Sequence, residues 1–191
     1  MDLLLNQGAR LLQQILFKAT KKVLHLPPIH HLPAIQSREF HVPVKMLSQG
    51  KTLRFDRTFQ LYLKDIEKIT KRPLHPYQIQ QVKEHLEKYP YRKLSSGQTN
   101  VHREEFNIKR NQIISEWEKI TGSSWPVYDK PFYGNGKILR DKGARFDVHH
   151  IIENCFGGNN AAWNIHPARY LTEHQHQIHR PDGYANKIFN S

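Results

Sequence analysis

The chain has 191 residues, 38% of them hydrophobic, which suits one domain or a small catalytic module with a helical extension. Lysine and arginine number 29 against 17 aspartate and glutamate residues, and the resulting net charge of +12 favours a polyanionic partner. The one cysteine, Cys155, excludes an intrachain disulfide and a cysteine-rich zinc site, and no apolar run reaches the ~18 residues of a membrane span.

The positive charge is concentrated in the first two thirds of the chain. Residues 126–191 hold 8 lysines and arginines and 6 acids, a net charge of +2, so residues 1–125 carry the remaining +10. If nucleic acid binds, the N-terminal part supplies most of the long-range attraction. The near-neutral C-terminal part must then contribute something more specific than charge.

Two segments open the chain. Residues 3–24 predict an amphipathic helix, because their apolar side chains recur near one face. Such a basic helix can pack against a core, lie on a membrane or bind a partner. Residues 25–50 contain four prolines and predict an extended connector. The apolar runs are too short for the core of a signal peptide, so we expect any export to use a non-Sec route.

Three further helices are predicted before the composition changes. Each has a helical apolar pattern, and a polar break at 92–100 separates the second from the third. The predicted helices are 56–71, 76–89 and 103–120. From Gly122 onwards, glycine, proline and aromatic residues dominate. We therefore divide the chain near residue 125 into a helical, basic region (1–125) and a C-terminal domain (126–191).

The C-terminal domain predicts two strands followed by a helix. The strands have β-type patterns, a Gly-Gly pair marks the loop between them, and the helix has a threonine as a plausible N-cap. These elements are a strand at 145–151, a loop at Gly157-Gly158, a strand at 162–168 and a short helix within 171–180 with Thr172 as its cap.

Six of the 13 histidines lie between His149 and His179. Imidazole clusters serve metal ligation or proton transfer. Neighbouring residues of a strand point to opposite faces, so the tandem His149-His150 could hold a metal with one ring and leave the other free, if a strand end lets both reach one cleft. A phosphodiester is hydrolysed by water. The reaction needs a base that deprotonates the water and a cation that neutralises the developing charge. One free histidine and one histidine-held metal supply both.

The ligands on the helix are ambiguous from spacing alone. His176 and His179 are three residues apart and share a face of a regular helix. His174 and His179 are five apart, which in a regular helix swings them ~140° from each other. The second pair requires that His174 lie in a frayed first turn or before the helix begins.

The segment resembles the ββα-metal fold of HNH (His-Asn-His) nucleases, particularly colicin-type DNase domains and polymorphic-toxin nucleases. The resemblance covers about 40 residues and leaves the first 125 unexplained. It implies an α+β fold, with a mainly helical N-terminal region followed by an HNH module at 126–191. The matching motifs are Asp147-Val148-His149-His150, then six residues and Gly157-Gly158, then Asn164-Ile165 and Ile178-His179-Arg180.

The resemblance also implies roles for individual residues. His149 would bind the metal, His150 would be the general base, and Asn164 would hold the base or the loop through hydrogen bonds. His179 would be the last metal ligand. The colicin-type spacing would place the remaining ligand at position 175, which is glutamine here, and we favour His174 over His176 because some toxin relatives have the same His-Gln-x-x-Ile-His arrangement.

Other polar residues of the segment have both a functional and a structural interpretation. Asp147 either orients a histidine or pairs with Arg145. Three arginines could contact phosphate, although an isolated arginine is more often a solvated charge. They are Arg145, Arg169 and Arg180. His166 is expected to make structural hydrogen bonds, and Phe156 and Trp163 are expected in the core.

The function expected from these features is a metal-dependent endonuclease that acts on DNA, with RNA as an alternative substrate. One divalent ion (zinc, nickel or magnesium) would be bound. The family further implies a bacterial toxin or effector that is delivered into a target cell and inhibited by an acidic immunity protein. A metal-stabilised nucleic-acid-binding module without turnover is the alternative from another class.

Overall fold

Three helices come first among residues 52–190, the part of the chain that the computed structural model describes. α1 spans Arg57–Thr70, α2 spans Pro76–Lys88 and α3 spans Ser96–Thr121. The first two agree with the predicted ranges to within one residue at each end. The helix predicted at 3–24 and the connector at 25–50 lie outside the described residues.

α3 begins seven residues earlier than predicted. Ser95 accepts a hydrogen bond from the backbone N–H of Gln98, and the Gln98 side chain accepts one from the backbone N–H of Ser95. This reciprocal capping box satisfies two backbone donors that a helix start leaves unpaired. The polar segment predicted to be a break is therefore mostly the first turn of the helix.

The strands form two antiparallel pairs. β1 (Phe132–Gly134) pairs with β2 (Lys137–Arg140) across a tight turn in which Asn135 and Gly136 both have positive φ, as such turns require. β3 (Asp147–His150) pairs with β4 (Ile165–Ala168). Both are shorter than predicted. Short 3₁₀ turns at Asn154–Phe156 and Ala162–Asn164 take up part of the connection between them.

The β3–β4 pair separates two groups of helices. His149 lies opposite His166 in the register, and both are buried on the face that receives Tyr62 and Thr70 of α1. On the other face, the ring of His150 contacts Phe106 of α3. The alternation of side chains along β3 therefore directs the tandem histidines to different helices.

Two hydrophobic clusters follow from this arrangement, one on each face of the β3–β4 pair. The first cluster combines α1 and α2 with the loop after β3 and the C-terminal helix, and the second packs α3 against β4. Both contain residues from before and after position 125, so the boundary predicted there does not separate two cores. Residues 52–190 all belong to one compact unit of the chain.

The segment predicted as a short helix at 171–180 is a π-helical turn at His174–Ile178. Leu171 has a φ of +57°, and Thr172 makes no capping bond to the turn. A six-residue helix, α4 (Tyr184–Phe189), ends the described chain. The predicted α+β class is confirmed. None of the helices in residues 52–190 is both long and apolar enough to cross a bilayer.

Gly158 is required by a close approach of the backbone. A Cβ at this position would collide with the carbonyl group of Ile152 and would lie 2.8 Å from the Asn164 side-chain nitrogen. We expect Gly158→Ala to lower the free energy of unfolding by about 3 kcal/mol, because the buried backbone must shift. Chemical denaturation of the full chain measures this change.

Gly97 provides the matched control, since a Cβ there meets nothing within 4 Å. Gly97 lies in the first turn of α3, where alanine is the better helix former, so Gly97→Ala should be neutral or stabilising by up to about 0.5 kcal/mol. Equal effects of the two substitutions would contradict the steric argument.

Candidate metal centre

Three histidines converge between β3 and the π-helical turn. His149 comes from β3, and His174 and His179 come from the two ends of the turn. One nitrogen of each ring lies within 4.8 Å of the corresponding nitrogens of the other two. The ring centroids are 5.1 Å apart for His149–His174, 5.3 Å for His149–His179 and 5.0 Å for His174–His179.

The π-helical turn resolves the ambiguous spacing. The backbone N–H of His179 donates to the carbonyl of His174 at 3.2 Å, a hydrogen bond between residues five apart. This i→i+5 pattern places residues five apart above one another, as an α-helix does for residues about four apart. His176 is exposed and lies outside the cluster.

Two ring nitrogens of the cluster are buried and have no hydrogen-bond partner in the described part of the chain. They are the Nδ1 atoms of His149 and His174. The other nitrogen of His149, Nε2, is 2.7 Å from the Tyr62 hydroxyl. When the hydroxyl oxygen accepts the Nε2 proton, Nδ1 keeps a free lone pair. Buried polar atoms are rarely left without a partner, and the lone pairs of these two nitrogens are available to a metal ion.

The electrostatic setting keeps the three rings neutral. Burial lowers the pKa of His149 well below its usual value, and the neighbouring His174 and His179 lower it further. Burial lowers the pKa of His174 to about 3, with smaller effects from His179 and His150. Burial also lowers the pKa of His179. Neutral imidazole is the form that ligates metals.

Glu153 is a site residue that the sequence analysis missed. Its Oε1 lies 3.5 Å from Nδ1 of His179, and burial raises the pKa of its carboxyl group to about 8. A carboxyl group beside a ligating histidine can orient the ring. The sequence signal is an acid three residues after His150, separated from the tandem histidines by two isoleucines. Tyr62, 87 residues before His149, had no such local signal.

His150 lies at the end of β3, near the cluster but in a different environment. Its half-buried ring contacts Phe106 at a centroid distance of 4.6 Å. Its Nε2 is 3.4 Å from Oδ1 of Asn160, and an amide oxygen can only accept, so Nε2 carries the proton and Nδ1 keeps the lone pair. Burial lowers the pKa of His150 to about 4. The side chain that hydrogen-bonds to His150 is Asn160, which was not predicted.

Asn164 is fully buried and holds the loop between the two strands. Its Oδ1 accepts from the backbone N–H of Ile152 at 2.7 Å, and its Nδ2 donates to the carbonyls of Ile152 at 3.1 Å and Asn159 at 3.0 Å. These bonds correspond to the expected role of holding the loop and not to that of holding the base. They fix the backbone that carries Glu153 and Asn160.

Asp147 pairs with Arg140, so of the two interpretations offered for it, the pairing with Arg145 is wrong. The Arg140 Nη2 donates to Oδ1 at 2.9 Å and to Oδ2 at 3.2 Å, and the guanidinium stacks on Tyr170 at 4.0 Å. Arg145 instead donates to Oδ1 of Asn111 at 2.9 Å. The reason is that Arg140 of β2 meets Asp147 across the turn, which residue spacing alone did not reveal.

The other two arginines proposed for phosphate contact also have carboxylate neighbours. Arg180 lies 3.0 Å from Asp65 and 3.6 Å from Asp182, while Arg169 lies 3.8 Å from Glu173. Their roles at nucleic acid remain predictions.

Three structural expectations are confirmed. Nε2 of His166 lies 2.9 Å from the Thr70 hydroxyl, and Phe156 and Trp163 are buried in the first cluster.

The Arg140–Asp147 pair gives a testable energy. Both side chains are partly buried and form a bidentate pair, so we expect a coupling of about 1 kcal/mol between Arg140→Ala and Asp147→Ala in a double-mutant cycle. Thermal denaturation of the two single variants and the double variant measures it. Additive effects would show that the pair contributes no net stability.

Comparison with known proteins adds two relatives. No protein-family model matches the chain. A segment of 130 residues, 67% of this chain, is 45% identical to Toxin YxiD of Bacillus subtilis (strain 168) and covers 23% of that protein. A segment of 68 residues, 36% of this chain, is 40% identical to the Probable deoxyribonuclease RhsB of Dickeya dadantii (strain 3937) and covers 4% of it. The chain therefore spans less than a quarter of the length of either relative and is similar to part of a toxin and part of a nuclease.

Proposed function

We propose that this chain is a metal-dependent endonuclease of the HNH type that hydrolyses phosphodiester bonds in DNA. The observation that carries the proposal is the set of three neutral histidines with two buried, unpartnered Nδ1 atoms, beside a fourth histidine that keeps a free lone pair. The names of the two relatives, a toxin and a probable deoxyribonuclease, support the same function.

The donor set fits one divalent cation. His149 and His174 would bind it through Nδ1, and His179 through Nε2, since Nδ1 of His179 faces Glu153. Three imidazoles suit zinc or nickel, whereas magnesium prefers oxygen ligands. We therefore propose that the bound ion is zinc or nickel and not magnesium.

Each residue of the site has a defined task in the proposed reaction. A bound cation supplies charge neutralisation at the phosphate and the leaving oxygen. His150 accepts the proton of the attacking water at Nδ1, and Asn160 holds its ring through the Nε2 hydrogen bond. Glu153 and Tyr62 orient His179 and His149 from behind. Asn164 fixes the loop on which Glu153 and Asn160 lie.

The biological setting follows from the toxin relative. We propose a bacterial effector that reaches the cytoplasm of a target cell by a non-Sec route and is neutralised by an immunity protein. The chain's charge of +12 favours an acidic inhibitor, because opposite potentials accelerate association and add specificity. A metal-stabilised binding module without turnover would not need the free lone pair of His150.

The proposed base can be tested with His150→Ala. We expect this variant to cut supercoiled plasmid roughly 100- to 10,000-fold more slowly, because no other group takes the proton, while metal content and fold stay unchanged. A plasmid nicking assay with added zinc, nickel or magnesium, and with a chelator control, measures the rate. Total RNA digested in parallel shows whether RNA is the better substrate. Normal cutting by the variant would rule out His150 as the base.

The proposed ligands can be tested by comparing His174→Ala with His176→Ala. Substitution of a residue that only supports a metal ligand lowers metal affinity by about 10- to 100-fold, so loss of the ligand His174 itself should exceed that range. His176 is exposed, and its removal should leave affinity within about twofold, by the same reasoning. Calorimetric titration of chelator-treated protein with zinc or nickel measures both. A larger effect at His176 would contradict the assignment.

A further inference from the structure

A basic cleft lies beside α3 at the start of the strand that carries His150. It is a surface cavity of about 390 Å³, lined by Arg110, Asn111, Arg140, Arg145 and Asp147. Three guanidinium groups and one carboxylate give this Arg110 cleft a net charge of +2. None of the histidines of the metal centre lines it.

The charges of the cleft are not equally available. Arg140 is neutralised by Asp147 through two short contacts. Arg110 is half-buried, and its guanidinium has no hydrogen bond or ion pair with any residue between 52 and 190. Arg145 is exposed, and one of its nitrogens donates to Asn111, which orients the guanidinium and leaves its remaining N–H groups free. Two guanidinium groups can therefore take an anion.

The position of the cleft relates it to His150. Phe106 contacts His150, the last residue of β3, and Asn111 contacts Arg145, which lies just before β3 begins. Later residues of α3 therefore meet earlier residues of the strand, so the two elements run in opposite directions. Arg110 lies one helical turn beyond Phe106, a Cβ separation of about 6 Å. Arg145 lies five residues before His150, at most ~16 Å along an extended chain.

We propose that the Arg110 cleft binds a phosphate of the nucleic-acid strand a few nucleotides from the bond that is cut. The proposal rests on the proposed nuclease function. A strand rises ~3.4 Å per nucleotide, so a span of up to ~16 Å between Arg145 and His150 corresponds to at most about five nucleotides. Arginine suits this task because its planar fork donates two parallel hydrogen bonds to one phosphate. A contact of this kind sets the register of the strand without reading its bases.

An acidic protein partner is the other anion that the cleft could take. A nucleic-acid strand is favoured because the cleft and His150 lie along the same helix–strand interface, where a continuous chain of phosphates can reach both. Carboxylates of an inhibitor would not require this alignment.

The experiment compares Arg110→Gln, Arg145→Gln and the double variant in the full-length, metal-loaded chain that carries His150→Ala. Fluorescence anisotropy with a 20-bp DNA duplex measures Kd between about 50 and 200 mM salt. We expect the double variant to raise Kd by about tenfold. Loss of each arginine should reduce the magnitude of the slope of log K against log salt by about 1. Arg110→Lys keeps the charge but not the planar fork. Its salt slope should therefore match that of the chain with Arg110, while its affinity for DNA should be only partly restored.

Arg57→Gln is the matched control, since it removes one exposed guanidinium of α1 that does not line the cleft. If the cleft variants behave like this control, the proposal that the cleft binds phosphate is overturned. The nuclease proposal still holds in that case, provided that the chain with His150 restored cuts plasmid. If that chain neither binds nor cuts DNA, both proposals fail. Loss of binding to poly-glutamate with unchanged DNA binding would overturn the cleft proposal in favour of a protein partner.

Discussion

The five-residue backbone turn at His174–Ile178 is the constraint on which the site depends. An α-helix over the same residues would direct His174 and His179 away from each other, and only the i→i+5 pattern brings both rings to His149. Glu173 anchors the start of this turn, because its carboxylate accepts from the backbone N–H of Arg169 at 2.9 Å and from Arg72 at 3.0 Å. The turn is thereby tied to the end of α1, whose Tyr62 holds the third histidine.

The β3–β4 pair lets adjacent histidines serve different purposes. His149 faces α1 and is buried among other imidazoles, whereas His150 faces α3 and keeps access to solvent. Burial lowers the pKa of both rings, but their partners differ, since a tyrosine hydroxyl lies beside one and an amide oxygen beside the other. The helices that the sequence analysis assigned to a separate region are therefore the walls of the site, and the proposed ligand and base owe their environments to them.

Features that are encoded locally could be predicted. The tandem histidines, the glycine pair and the order of strands could be predicted, because alternation and turn residues act over a few positions. The supporting residues could not. Tyr62 reaches His149 across 87 positions, and Arg140 reaches Asp147 only because the turn between them folds back. The π-helical turn also has no periodic signature in sequence; His174 was favoured from the family pattern, while the spacing rule for α-helices argued against it.

The distribution of charge takes on a different meaning once the fold is considered. Residues 1–125 carry most of the excess positive charge, which by itself indicated only long-range attraction. Interactions between exposed charges fade over about 10 Å at 0.1 M salt, so a cation acts on a bound phosphate only if the fold brings it that close. α3 does this for Arg110, because Phe106 on the same face contacts His150. In the proposed nuclease, the basic region would therefore also act at short range on a bound phosphate, and the C-terminal segment could remain nearly neutral.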